Sequence, residues 1–247
     1  MVGQAASEYR AKALVNPPCK VIECDEIWSF CYSEEKNIPE DKQGEYGFAE
    51  VWTWSAIDTD YKLVPTWLVG ERTLSDAYVF LSDLKSRLKD SRTQLTTDGL
   101  RKYLTVLNVL WANDIDFAMP HKIYGSGKQG QGPDTNYGPA IRTGIGIRVI
   151  SDHPDMNRVS TPYVERQNLT MQMGMRCFTR LTNGFSKKME FHAHAVNQNF
   201  MSYNFARTRQ NLRVNNADGT FTKRTPATAA GIADHVWTRW EMAELLD

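Results

Sequence analysis

Cys19 to Tyr32 reads CKVIECDEIWSFCY. β-branched, aromatic and apolar side chains fill both alternating sets of positions, the pattern of a strand covered on both faces. Asp25 stands in the middle of this run. An unpaired charge buried there would cost several kcal/mol, so it requires a cation, a metal ion or a dense hydrogen-bond network.

A polar loop, Ser33 to Gly47, follows, and Phe48 to Ile57 and Lys62 to Val69 read as two further strands. Asp58-Thr59-Asp60-Tyr61 between them suits a tight turn, so the three strands predict an antiparallel meander. Ser75 then caps a helix to about Lys89, with Ala77, Phe80, Leu81, Leu84 and Leu88 at helical spacing. Thr93 to Thr97 is a short strand ending at Asp98-Gly99, a helix of about Leu100 to Leu110 comes next, and Ile115 to Met119 is a fifth strand.

Glycine and proline dominate Pro120 to Arg158, which reads as an inserted loop. Its segment Gly125 to Pro133 (GSGKQGQGP) fails the Walker spacing and is not a P-loop. Thr161-Pro162 places an N-cap and a proline at the first helical position, opening a helix through Glu165 towards Cys177. A last long helix covers about Lys188 to Arg207, with Phe191, Ala195, Phe200 and Tyr203 as its apolar side. Asn215 to Pro226 is a turn-rich loop before a short C-terminal helix. The expected organisation is a short extension over 1–18, one domain over 19–213 with an insertion at about 120–158, and a C-terminal loop and helix over 214–247.

The chain is 41% hydrophobic over 247 residues, enough for a core that needs no disulfide or metal staples. Cys19, Cys24, Cys31 and Cys177 lack CxxC pairing and read as reduced, mostly buried thiols. No run approaches the roughly 18 apolar residues of a membrane span, and Met1 to Arg10 lacks a signal-peptide layout. A soluble cytoplasmic protein, nucleoid-associated in a prokaryote and without a membrane partner, is expected. The net charge is zero but unevenly placed: residues 141–213 carry 11 Lys+Arg against 4 Asp+Glu, while residues 1–140 carry 15 against 20.

Three carboxylates stand out. Beside Asp25, Asp98 closes a strand just before a glycine, a position that by itself reads equally as a turn. Glu165 falls one residue beyond the N3 site of a helix capped by Thr161, so it has no capping duty, and neither Thr161 nor Leu169 is expected to pair with it. The histidines offer no rival metal site, since His192 and His194 diverge on a helix and His121, His153 and His235 are scattered. Trp28, Trp52, Trp54, Trp67, Met171 and Met175 read as core packing.

The order β-β-β-α-β-α-β, with one acidic residue on strand one and another after strand four, matches a ribonuclease H-like (retroviral-integrase-like) α/β fold with a mixed sheet flanked by helices. In that fold these two strands are neighbours. The chain also resembles insertion-sequence transposases of the DDE superfamily, closest to the insertion-sequence-one (IS-one) type. The motifs that carry the resemblance are Val21 to Phe30 (VIECDEIWSF), Val51 to Asp58 (VWTWSAID), Leu68-Val69-Gly70, Leu95 to Gly99 (LTTDG), Val159 to Leu169 (VSTPYVERQNL), Arg180 to Lys187 (RLTNGFSK) and Tyr203-Asn204-Phe205.

The resemblance implies that Asp25, Asp98 and Glu165 are both the catalytic triad and the ligands of two Mg²⁺ or Mn²⁺ ions. Such a site activates water or a sugar hydroxyl and stabilises the leaving oxygen. The implied activity is metal-dependent DNA strand cleavage and strand transfer in transposition, a form of DNA recombination. The implied partners are element ends, target DNA and further copies of the chain in a homo-oligomer on DNA, with no organic cofactor. Arg166, Gln167, Asn168, Arg176, Arg180, Lys187, Lys188, Arg207 and Arg209 are the candidate DNA contacts, placed where the positive charge gathers.

The sequence also departs from that pattern. Only about eighteen residues precede the first motif, so the end-recognition segment of relatives is expected to be missing. Arg209 stands where relatives commonly have histidine. An alternative is therefore a truncated, catalytically idle transposase that binds DNA or full-length subunits as a regulator; a third is a nuclease that only hydrolyses.

Overall fold

The computed structural model describes residues 2–45, 47–88, 92–112, 114–124, 142–179 and 184–246. In chain order the elements are α1 (Val2–Ala13), β1 (Val21–Cys31), β2 (Ala49–Asp58), β3 (Thr66–Gly70), α2 (Leu74–Arg87), β4 (Gln94–Thr97), α3 (Arg101–Trp111), β5 (Asp116–Tyr124) and β6 (Arg142–Ser151). After these come α4 (Pro162–Gly174), α5 (Met189–Met201), β7 (Arg209–Asn215), β8 (Phe221–Arg224), α6 (Pro226–Ala229) and α7 (Arg239–Ala243). The fold is mixed α/β, with a six-stranded sheet in the order β3-β2-β1-β4-β5-β6 and a separate β7-β8 hairpin.

β1 is interior to the sheet, antiparallel to β2 and parallel to β4. Its apolar residues point both ways, as the sequence predicts: Ile22 and Cys24 are buried on one face, Ile27 and Cys31 on the other. On the first face Trp54 of β2 meets Phe80 of α2 and Tyr103 of α3, with ring centroids 5.9 and 5.7 Å away. On the second, Trp67 of β3 stacks on Phe200 of α5 at 4.9 Å. Trp28 and Trp52, expected in the core, are only half-buried and pair across β1 and β2.

Residues 2–18, expected as a short extension, pack against the rest of the chain. Within α1 and just after it, Ala6 and Leu14 are fully buried. Tyr9 packs edge-on against Phe205 and Trp237, and the Arg10 guanidinium bonds Asp83 and the Trp67 carbonyl.

Several local expectations change. α2 is capped by Thr73, whose hydroxyl accepts the Asp76 N–H, and not by Ser75. On α5 Phe191 is exposed and His192 is buried, because the Ser29 and Ser186 hydroxyls satisfy both ring nitrogens of His192. The long helix ends in a π-helical turn, Ser202–Ala206. Part of the 120–158 insertion is strand: β5 runs on to Tyr124 and β6 returns antiparallel beside it. The glycine-rich Gly125 to Pro133 lies outside the described residues. Residues 209–224, read in part as a loop, form the β7-β8 hairpin. Among the described residues no helix is long and apolar enough to cross a membrane.

Candidate active site

Parallel pairing sets β1 and β4 in register from Val21 opposite Gln94 to Cys24 opposite Thr97. One residue further on each chain stand Asp25 and Asp98. The site is thus a consequence of register: two strands buried in the same sheet present carboxylates at the same level. Asp98 Oδ1 accepts the Leu100 N–H at 3.1 Å, which holds its carboxylate at the turn into α3.

A third carboxylate joins them. Oxygens of Asp25, Glu26 and Asp98 all lie within 4.8 Å of one another, the one such cluster of metal-ligating side chains among the described residues. Burial and the neighbouring charge of Asp98 push the Asp25 carboxyl up to about 6; Glu165 adds to the rise, while the Asn168 hydrogen bond opposes it. Glu26 is pushed to about 7, chiefly by burial and then by Asp98. Its Oε2 accepts from Arg72 Nη2 at 3.0 Å, and that guanidinium also lies 4.5 Å from the Trp52 ring.

Glu165 stands on α4, outside the 4.8 Å cluster, exposed at the surface but close enough for its charge to be felt at Asp25. Its Oε1 accepts the Thr161 hydroxyl at 3.1 Å, the i, i+4 pairing that the sequence reading excluded. The helix phase allows it, because residues four apart share a face and Thr161 caps nothing with its side chain.

The cap of α4 comes from β1. Glu23 Oε2 accepts the Tyr163 and Val164 N–H groups at 2.8 and 2.9 Å, and Oε1 accepts the Ser160 hydroxyl at 3.0 Å. A carboxylate on the first free N–H groups also suits the positive end of the helix dipole. Burial nevertheless dominates and lifts Glu23 to about 7. One turn along α4, Asn168 Nδ2 donates to Asp25 Oδ2 at 2.8 Å. Glu23 and Asp25, two apart on one strand face, therefore both anchor α4.

Of the candidate DNA contacts, Arg166, Arg176, Lys187, Lys188 and Arg207 are exposed, while Arg209 is half-buried with its guanidinium 4.1 Å from the Tyr203 ring. Gln167 and Asn168 are buried and face inward, since the α4 stripe that packs on the sheet includes them. Arg180 lies outside the described residues. Glu23, Glu26 and Arg72 were missed by the sequence reading, although the criterion applied to Asp25, a carboxylate in an apolar strand, applies equally to Glu23 and Glu26.

The donor set is all oxygen, as hard divalent cations such as Mg²⁺ and Mn²⁺ require. Asn168 Oδ1 is a buried acceptor with no hydrogen-bond partner, whereas Glu26 has the Tyr103 hydroxyl beside it as well as Arg72. Three clustered carboxylates, two of them (Asp25 and Glu26) with raised proton affinity, and the unfilled Asn168 acceptor beside them fit a cation. No protein-family model matches the chain, and no curated protein matches it significantly.

Proposed function

We propose that the chain is the catalytic domain of a DDE-superfamily DNA transposase of the insertion-sequence-one (IS-one) type, built on a ribonuclease H-like fold. One observation carries this reading: the aspartates of two separate motifs, VIECDEIWSF and LTTDG, stand side by side at the level where β1 and β4 run parallel. An antiparallel meander on one side of strand one, and strand four on the other, is the arrangement that fold requires.

Asp25, Asp98 and Glu165 would hold two Mg²⁺ or Mn²⁺ ions, which when bound supply activation of a water or 3′ hydroxyl nucleophile and charge stabilisation at the leaving oxygen. The chain's own residues prepare that site. Asn168 fixes Asp25 Oδ2, Arg72 steadies Glu26, and Glu23 sets the position of α4 and with it Glu165. Completing the triad requires Glu165 to exchange its Thr161 hydrogen bond for a ligand position. Exposed Arg166, Arg176, Lys187, Lys188 and Arg207 suit phosphate positioning, which does not read sequence. The substrates would be element ends and target DNA, handled by a homo-oligomer.

A strand-transfer assay on pre-cut DNA ends with Mg²⁺ or Mn²⁺ tests the reading, comparing the native chain with Asp25→Asn, Asp98→Asn and Glu165→Gln. Joined products that vanish in all three variants support it. Cutting without joining points to a hydrolytic nuclease; DNA binding with neither points to a catalytically idle regulator.

A further inference from the structure

A cleft of about 330 Å³ opens beside Asp98, at the same end of the sheet as the carboxylates and beginning at Gly99. Leu104 of α3 with Met119 and Pro120 of β5 supply its apolar surface, and Arg101, His121 and Arg148 supply its polar one. All three of these last residues are exposed, and among the described residues none has a carboxylate partner.

The positive charge is concentrated by the backbone. α3 begins with Arg101 and Lys102, has no acidic residue in its first turn, and gets no side-chain cap from Leu100. Asp98, which accepts the Leu100 N–H, is an anion at this helix end, but Arg101 and Lys102 together exceed its single charge and favour a further anion beside them. Opposite α3, β6 brings Arg148 level with Met119 and places Gly146 against the His121 ring. A Cβ at position 146 would collide with the imidazole, so glycine there lets His121 lie at the cleft.

Resting on the DNA-strand reading above, we propose that this cleft seats one nucleotide unit of the DNA strand adjoining the reacting phosphodiester. Arg101 and Arg148 hold its phosphate beside the His121 ring; Leu104, Met119 and Pro120 pack on its sugar or base. A volume near the small end of ligand pockets suits a single nucleotide unit. Paired carboxylates repel a phosphodiester, and cations set beside them offset that repulsion. β6, carried by the inserted segment, thereby acquires a role in holding substrate.

The test measures anisotropy of a fluorescein-labelled single-stranded oligothymidylate with the full chain in EDTA, across a salt series. Each lost phosphate contact lowers the salt slope by about 0.7, so Arg101→Gln/Arg148→Gln should lower it by about 1.4 and weaken binding roughly 25-fold at 0.1 M salt. Arg101→Lys/Arg148→Lys should restore most of both, and Lys36→Gln, in an exposed pair with Glu34, should change neither. An unchanged slope and affinity in the double glutamine variant overturns the proposal, as does a native chain that binds no oligonucleotide. Because the readout needs no metal, the two readings separate. Lost binding in the double variant with no cutting by the native chain sustains the cleft and sinks the transposase reading; normal cutting with unaltered binding does the reverse.

Discussion

Asn168 donates from Nδ2 to Oδ2 of Asp25 over 2.8 Å, joining α4 to the sheet at the carboxylate cluster. The bond orients Asp25 and opposes the rise in its proton affinity that burial and Asp98 cause. A hydrogen bond to a charged group contributes about 1.5–3 kcal/mol. Asn168→Ala should therefore lower stability by about 2 kcal/mol in urea melts and reduce metal-dependent cutting at least tenfold. Equal loss of activity at saturating and limiting metal would contradict an effect through Asp25 as a ligand.

Glu23 is expected to matter through α4 alone. Glu23→Ala leaves the Tyr163 and Val164 N–H groups buried or half-buried without an acceptor, at a cost of about 1–3 kcal/mol. Hydrogen exchange should accelerate in the first turn of α4 and not in β4. Protection that falls evenly over the whole chain would count against the cap.

Divalent ions should stabilise the native fold. At about 100 times Kd, Mg²⁺ or Mn²⁺ adds about 2.7 kcal/mol, and Asp25→Asn or Asp98→Asn should remove the response seen in thermal melts. Binding must displace the proton from an Asp25 carboxyl held near 6, so affinity should weaken below pH 6. A melting temperature indifferent to both ions would sink the metal site.

Without metal the sign of the pH dependence follows from the same groups. Glu23 and Glu26, each about 7 in the fold against 4.5, and Asp25, about 6 against 3.8, keep protons that the unfolded chain has lost. Their contribution is full below the unfolded values and is lost as pH rises to about 7. In EDTA the chain should melt higher at pH 5 than at pH 7.5. His192 works in the opposite direction, but it is one group against three.

His192 can be isolated by difference. Burial lowers its pKa from 6.5 to about 4, so the fold keeps it neutral while the unfolded chain protonates. Its contribution is present above 6.5 and falls by about 1.4 kcal/mol per pH unit as pH drops towards 4. The stability gap between the native chain and His192→Gln should shrink over that window. A gap independent of pH would show that His192 is not the titrating group.

Much of this protein is readable along the chain. The two-sided apolar run around Asp25 made β1 an interior strand, helical spacing placed α2 by Ala77, Phe80, Leu81 and Leu84, and Pro162 opened α4. These signals are local, because alternation and helical periodicity record which side of an element is covered. Where a polar residue could be satisfied in the core, the pattern misled: His192 took the place expected for Phe191. Glycine-rich composition likewise hid β6.

By itself the sequence determined β1 to β5 and the helices α2 to α5, and set Asp25 within a buried strand and Asp98 at the end of another, where a charge needs an explanation. Only the tertiary structure decided which groups meet them. The β1–β4 register levels the two aspartates, and contacts across 140 or more residues bring Glu23 to the α4 N-terminus and Asn168 to Asp25. Arg72 reaches Glu26 across 46 residues. Periodicity can state that a face is buried; the partner that covers it is fixed when distant segments close on one another and their polar groups must be satisfied together.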